Sequence, residues 1–324
     1  MEINSNYKNK VFFKSSDNMT ELPDESINLV MTSPPYFNIK DYSKDGYQDE
    51  TVADKKDGQI GDIDSYSTFI NSMIPIWKEC LRVLKPNGKM IINTPLMPMI
   101  KKEYSTHYNR HIFNINSDIE HSIIDNIPEF YLMDLYIWNR TNSTKNLMFG
   151  SYPYPRNFYA QNTVEFINVF VKEGTPTDKV GKDIKKSSKL TQEQWIEYTK
   201  QVWNIPIPSK KDDSWGEHSA IMPEEIVERC VKLFSFVGDV VLDPFTGSGT
   251  TLKVAKEFKR HYVGYEISQE YEPVITSKIN SLEHIQDMME YEEWIDNGID
   301  ASLQNKKPEK QCHERDVFGP EDWI

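Results

Sequence analysis

Two segments of this chain each drive a short apolar run into a loop that cannot continue it. Ile27-Asn28-Leu29-Val30-Met31 runs into Thr32-Ser33-Pro34-Pro35-Tyr36, and Val240-Val241-Leu242 runs into Asp243-Pro244-Phe245-Thr246-Gly247-Ser248-Gly249-Thr250. A short apolar run closed by proline or glycine reads as a buried strand with a turn at its end. Helical spacing over Thr251–Phe258 follows the second loop, and then a run Tyr262-Val263-Gly264-Tyr265 that stops at Glu266. Parallel strands need such a helical crossover, so strand, glycine loop, helix and strand in this order commit the chain to α/β architecture.

The rest of the sequence agrees. Tyr66, Phe69, Ile70, Met73, Ile74, Trp77, Leu81 and Leu84 recur at helical spacing, and Pro86-Asn87-Gly88 turns the chain into a strand over Lys89–Asn93. Further strands are predicted over Tyr131–Trp138 and Val164–Val171, and a helix from Pro223 to about Phe236, its first turn carrying Glu224 and Glu225. Asn38 to Asp64 is polar and acidic and reads as a long loop or flap. Past Ser268 a helical pattern through Ile275, Ile279, Leu282, Ile285 and Met289 leads into a polar tail. The parts are then 1–138, carrying the proline loop; 139–211, rich in Asn, Ser, Lys, Pro and Tyr; 212–300, carrying the glycine loop; and 301–324, the tail.

With 324 residues of which 38% are apolar, the chain can bury a full core. Mean hydropathy is −0.62. No apolar run reaches the roughly 18 residues of a membrane span, and MEINSNYKNK lacks an export signal. Cys80, Cys230 and Cys312 are scattered and odd in number, so neither a disulfide framework nor a metal site is expected, and a cytoplasmic location is. The net charge of −13 is unevenly spread. Arg140–Lys211 holds 12 Lys/Arg against 6 Asp/Glu, whereas Glu266–Ile324 holds 5 against 15. A basic middle suits a polyanionic partner despite the acidic total.

Each loop has chemistry of its own. Glycines let backbone pass close to a ligand, the helix N-terminus favours a negative group, and an acid ending the next strand can accept from both hydroxyls of a ribose. A dinucleotide oxidoreductase would need a third glycine where Lys253 and Val254 stand. In the other loop, two prolines withhold two N–H donors and leave carbonyls free to accept. The Ser33 hydroxyl and the Pro34 carbonyl can take the two hydrogens of an exocyclic amine and so aim its lone pair. Tyr36 offers a face for an extruded base.

With these motifs the chain resembles the β-class DNA amino-methyltransferases of restriction–modification systems, at Asn28–Tyr36, Leu81–Pro95 and Glu217–Glu266 above all. The resemblance implies a Rossmann-like sheet with helices on both faces, binding S-adenosylmethionine (SAM), with the catalytic motif before the cofactor motif and a target-recognition region inserted at 139–211. It implies catalysis by Ser33, Pro34, Pro35 and Tyr36. It implies cofactor contacts from Asp17, Asp243, Phe245, Gly247, Gly249, Thr250, Glu266 and His218, although Ser16 stands before Asp17 where the family usually has glycine. The segment Gly150–Arg156 resembles one that the N4-cytosine branch carries, and Lys145, Arg156, Lys185 and Lys186 are candidates for DNA contact. Trp195 and Trp203 are read as core. Serine at the head of the catalytic motif resembles the N4-cytosine branch; the adenine branch more often carries aspartate, so N6-adenine is the alternative and an RNA or protein-glutamine methyltransferase the second. C5-cytosine methylation needs a cysteine nucleophile, typically after proline, and none of the three follows one. The expected partners are double-stranded DNA and a restriction endonuclease of the same target sequence, with no membrane and no metal; monomer and homodimer both stay open.

Overall fold

The computed structural model describes residues 7–37, 60, 65–100, 110–144, 150–177, 179–208 and 222–281, all within one compact unit spanning Met1–Glu283. The acidic loop except Ile60, Lys145, His218, the helical pattern past Ser281 and the tail lie outside the described residues.

In chain order the elements are β1 (Lys10–Phe12), β2 (Ile27–Thr32), α1 (Tyr66–Ser72), α2 (Ile74–Val83), β3 (Leu84–Pro95), β4 (Met97–Ile100), β5 (Arg110–Phe113), α3 (Ile115–Asn126), β6 (Phe130–Arg140), β7 (Val164–Lys172), α4 (Lys182–Ser187), α5 (Gln192–Tyr198), β8 (Val202–Ile205), α6 (Glu224–Phe234), β9 (Val240–Asp243), α7 (Thr250–Glu257), β10 (His261–Tyr265) and α8 (Glu272–Asn280). Eight strands form one sheet in the order β1-β10-β9-β2-β3-β7-β6-β8, and β4 pairs with β5 apart from it. Within the sheet β7 alone runs against its neighbours.

The central strands are buried on both sides, and alternation sorts their side chains. Val30, Met90, Ile92 and Leu242 face one layer of helices, where α2 supplies Ile76, Trp77 and Cys80 and α3 supplies Ile119 and Ile123. Leu29, Met31, Ile91 and Val241 face the other layer, with Ile226, Val227 and Cys230 of α6 and Val254 and Ala255 of α7. Each fully buried apolar side chain of this size contributes roughly 1.5–3 kcal/mol. The two layers follow from topology. From β2 the chain crosses to β3 on one side, and from β9 it crosses to β10 on the other. Right-handed crossovers in opposite directions put their helices on opposite faces. The strand order therefore reverses between β2 and β9, whose first-to-last pairing is Leu29↔Val241 and Val30↔Leu242.

The structure departs from the sequence reading in several places. The single helix expected over residues 66–84 is two, joined at Met73, because Pro75 in the first turn of α2 cannot continue the ladder of α1. Pro86-Asn87-Gly88 forms a bulge inside β3, where the pairing to β2 jumps from Ile27↔Leu84 to Leu29↔Lys89 and Asn87 adopts φ 61°. Residues 139–211 are no separable insert, since they supply β7 and β8 to the central sheet. Trp203 is buried as expected, with the Arg229 guanidinium 5.3 Å from its ring centroid, whereas Trp195 is 60% exposed.

Candidate active site

The reversal of strand order opens a crevice beyond the carboxyl ends of β2 and β9, the place where open α/β sheets take ligands. Both loops singled out in the sequence leave the sheet there. They are bolted together at its rim: Thr32 Oγ1 donates to Asp243 Oδ1 at 2.6 Å in a buried contact. The same oxygen accepts from Phe245 N at 3.0 Å, which turns the chain away from the strand. Burial pushes the Asp243 carboxyl up to about 6, against the pull of Thr32. Asp243 thus organises the loop from beneath.

Gly249 caps α7 at φ 88°, a conformation that strains any other residue, and a β-carbon there would come within 3.3 Å of Ile275 of α8. The first turn of α7 carries no acid. Lys278, buried, donates to Thr250 Oγ1 at 2.9 Å and adds positive charge beside the helix N-terminus. Glu266 closes β10. One of its carboxylate oxygens accepts from Gly247 N and the other from Ser268 N, both at 2.9 Å. A carboxylate has about four lone-pair sites, more than its backbone donors occupy, so capacity remains for a ligand. Burial raises the Glu266 carboxyl above its ordinary value.

Between the loops lies a cavity of about 200 Å³. Ser33, Pro34, Pro35 and Tyr36 line it from one side, and Asp243, Phe245, Gly247, Thr250 and Glu266 from the other. Phe245 meets Trp77 edge-on, with ring centroids 5.9 Å apart. Gly249 and Asp17 are not among the lining residues. Gly249 does its work in the cap of α7, and Asp17 is exposed and outside the lining, to which its neighbours Ser15 and Ser16 belong. The reason is Ser16, whose hydroxyl turns inward to donate to Pro244 O at 2.9 Å and leaves the next side chain pointing out.

Behind the proline loop lies a buried polar cluster. Ser33 Oγ is 3.2 Å from Tyr36 OH and 3.4 Å from Asn93 O. Tyr36 OH donates to Glu165 Oε2 at 3.2 Å, and Asn93 Nδ2 donates to the same oxygen at 2.7 Å. Arg140 Nη1 donates to Oε1 at 3.2 Å and its Nη2 donates to Asn162 O. Sequence reasoning assigned no role to Thr32, Asn93, Arg140 or Lys278. The signal for Arg140 and Glu165 was present, since each is a charge at the end of a largely apolar strand. Among the described residues, no group of three or more His, Cys, Asp or Glu is placed to hold a metal ion, and no helix is long and apolar enough to cross a membrane. Cys80 and Cys230 are buried in the helices, where burial pushes both thiols up.

The remaining candidates divide between the two edges of the sheet. The segment between β6 and β7 leaves and re-enters at the carboxyl edge, because Asn139 pairs with Val164 and Glu165 with Pro95. It folds on itself. Ser151 N donates to Asn157 O at 2.8 Å, and Gly150 at φ 84° lies so close that a β-carbon would meet that carbonyl at 2.1 Å. Tyr152, Tyr154 and Phe158 project from it, 68%, 76% and 74% exposed, around the exposed Arg156. Lys185 and Lys186 sit on α4, beyond the other end of β7, with Ser188 tied to Val237 just before β9 begins. They belong to the amino edge, away from Ser33.

Two loops meeting at a switch point, one rich in acceptors and one built around a helix N-terminus, is the arrangement against which kinship can be judged. A family model described as "DNA methylase" (N6_N4_Mtase) matches residues 27–277. The chain belongs to this DNA methylase family. The methylase is 31% identical over 294 residues to the type II methyltransferase M.MjaI of Methanocaldococcus jannaschii, across 86% of its own length and 93% of that relative. Its fold is shared by TTHA0409 of Thermus thermophilus, solved with S-adenosyl-L-methionine, at TM-score 0.63 and 24% identity over 84% of this chain and 95% of that one. PvuII DNA methyltransferase, a cytosine-N4-specific enzyme, superposes at TM-score 0.58 and 19% identity over 89% of this methylase and 93% of that chain. The expected SAM-methyltransferase sheet, helices on both faces, is the one observed.

Proposed function

We propose that this methylase transfers the methyl group of SAM to the exocyclic N4 of a cytosine flipped out of duplex DNA, and that it protects DNA within a type II restriction–modification system. The observation that carries this reading is the 2.6 Å bond from Thr32 to Asp243, which holds an amine-accepting loop and a cofactor-type loop across one cavity.

SAM, when bound, supplies a methyl group on a positively charged sulfur. The residues present fit it. The N-terminus of α7 with Lys278 behind it suits the methionine carboxylate, Glu266 keeps lone pairs for the ribose hydroxyls, and Phe245 offers an apolar wall. The amine is the task of the other loop. Ser33 Oγ and Pro34 O accept its two hydrogens, which localises the nitrogen lone pair and turns it toward the cofactor side of the cavity. The same acceptors draw off the positive charge that develops on the nitrogen. Tyr36 walls the cavity beside them. Catalysis then rests on Ser33, Pro34, Pro35 and Tyr36, and cofactor binding on Asp243, Phe245, Gly247, Thr250 and Glu266, with Gly249 shaping the loop. The recognition of DNA falls to the segment between β6 and β7, whose Arg156 can reach phosphates and whose aromatic faces can stack on bases.

Serine, in place of aspartate, supports cytosine N4 as the acceptor. The test is to express the methylase in cells lacking other modification, hydrolyse their DNA and identify the methylated nucleoside by mass spectrometry. N4-methylcytosine is the expected product. N6-methyladenine alone would move the enzyme to the adenine branch, and methyl transfer to RNA or protein with none to DNA would overturn the reading.

A further inference from the structure

Ser33 is a neutral hydroxyl, able to donate as well as accept, yet the reaction proposed above needs it to accept. The groups behind it decide which it does. Asn93 O, 3.4 Å from Ser33 Oγ, can only accept. Tyr36 OH, 3.2 Å away, could do either. Its hydrogen, however, is directed at Glu165 Oε2, 3.2 Å beyond, and an ionised carboxylate can only accept. With that hydrogen drawn inward, the oxygen of Tyr36 offers Ser33 lone pairs. Both neighbours of Ser33 Oγ are then acceptors, its one hydrogen points into the protein, and its own lone pairs face the cavity.

We propose that Glu165 is a positioning residue for methyl transfer, one that acts through Tyr36 to fix Ser33 as a hydrogen-bond acceptor toward the substrate amine. The proposal rests on the reading that Ser33 receives that amine. Glu165 is well held for the task. Asn93 of β3 donates to the oxygen that Tyr36 uses, Arg140 of β6 holds the other oxygen at 3.2 Å, and the residue is 6% exposed. Arg140 and Tyr36 are the charged and titratable groups that face it, from β6 and from the loop after β2. A protonated Glu165 would donate toward Tyr36, whose hydrogen would then turn to Ser33 and take up one of its lone pairs, leaving the weak 3.4 Å contact to Asn93 O alone to keep the Ser33 hydrogen off the amine. Burial raises the Glu165 carboxyl while Arg140 opposes the rise. The chain of hydrogen bonds therefore reverses as pH falls through a raised carboxyl value.

The test is single-turnover transfer of labelled methyl from SAM to plasmid DNA carrying the sequence modified in expressing cells, followed across pH, with SAM affinity measured in parallel. Glu165→Gln keeps the shape and, with its amide oxygen held by Arg140, turns its NH2 group toward Tyr36, a donor in place of an acceptor. Its rate should fall about 100-fold, the scale of losing one aligned hydrogen bond at a reacting atom, while SAM affinity stays within twofold and the acid limb of the profile disappears. Tyr36→Phe should lose as much, and the double variant no more than either alone. Glu165→Gln with a wild-type rate and acid limb would overturn the proposal, and so would a loss matched by equal losses in SAM affinity and folded fraction. Full activity in Ser33→Ala would instead sink the reading of Ser33 itself. A slow Ser33→Ala beside an unaffected Glu165→Gln and Tyr36→Phe would sink only the positioning role.

Discussion

The ends of β2 and β9 and the segment between β6 and β7 share one edge of the sheet but are built on opposite plans. At the strand ends every polar group that shapes the site is held from behind: Thr32 by Asp243, Ser16 by Pro244, Tyr36 by Glu165, Glu165 by Asn93 and Arg140. In the segment, the backbone is braced by its own turn and the large side chains are left in solvent. Methyl transfer demands fixed distances and gains from groups that need no reorganisation. Binding a long polyanion demands reach, aromatic faces and charge in the open. The two plans are joined at Arg140, which holds Glu165 with one nitrogen and Asn162, at the foot of the segment, with another.

The sharpest break in this contrast comes from Ser33→Ala. Loss of one acceptor of the amine should lower the single-turnover rate by about 10²–10³-fold, with SAM and DNA affinity each within about threefold of wild type in equilibrium binding. Thr32→Val comes next. It removes the hydroxyl that Asp243 accepts from and leaves a buried carboxylate less satisfied, at a cost of about 1–3 kcal/mol in stability read by denaturant unfolding. It should also weaken SAM binding, since the same carboxylate turns Phe245 into the cavity. Retained stability and affinity would mean that the two loops hold their places without the bolt.

In the segment the signature should invert. Tyr154→Ala with Phe158→Ala removes two exposed rings, and base stacking on one ring is worth about 1–3 kcal/mol. The KM for duplex DNA should rise at least about tenfold, while kcat at saturating DNA and SAM affinity stay near wild type. A fall in kcat with an unchanged KM would assign the rings to the chemistry and erase the difference between the regions.

How much of this was legible in the sequence follows the same division. Both motif loops, their strands and the helices after them were readable, because apolar runs ended by Pro34-Pro35 or by Gly247 and Gly249 are local signals. The meeting of the loops was inferred only by way of resemblance. The bolt itself was not readable, since Thr32 and Asp243 lie 211 positions apart and nothing near either names its partner. That Asp17 stands exposed was not readable either, since the contact beside it, Ser16 to Pro244, spans 228 positions. The joint at Met73 was readable from Pro75 and was overridden by the apolar spacing through it. The stretch 139–211 was read by composition, which records charge and proline but not that Val202–Ile205 adds a strand beside β6.

The smallest effect is expected where composition pointed most plainly to nucleic acid. Lys185 and Lys186 belong to the most basic run of the chain, yet α4 follows the end of β7 that lies at the amino edge. Ser188 fixes it there through the Val237 N–H at 2.9 Å. The four residues of β9 then separate that end of the sheet from the cofactor loop, roughly 13 Å at about 3.3 Å per residue. A duplex seated over Ser33 would have to bend around the sheet to meet them. Lys185→Ala with Lys186→Ala should therefore change the KM for DNA by less than twofold at moderate salt. The more telling measurement is the slope of log affinity against log salt. Each phosphate that a cationic side chain no longer neutralises lowers that slope by about 0.9, so the double variant should keep the wild-type slope, whereas Arg156→Ala should reduce it by about one. A drop of nearly two in the lysine variant would place DNA on both edges of the sheet and end the contrast between them.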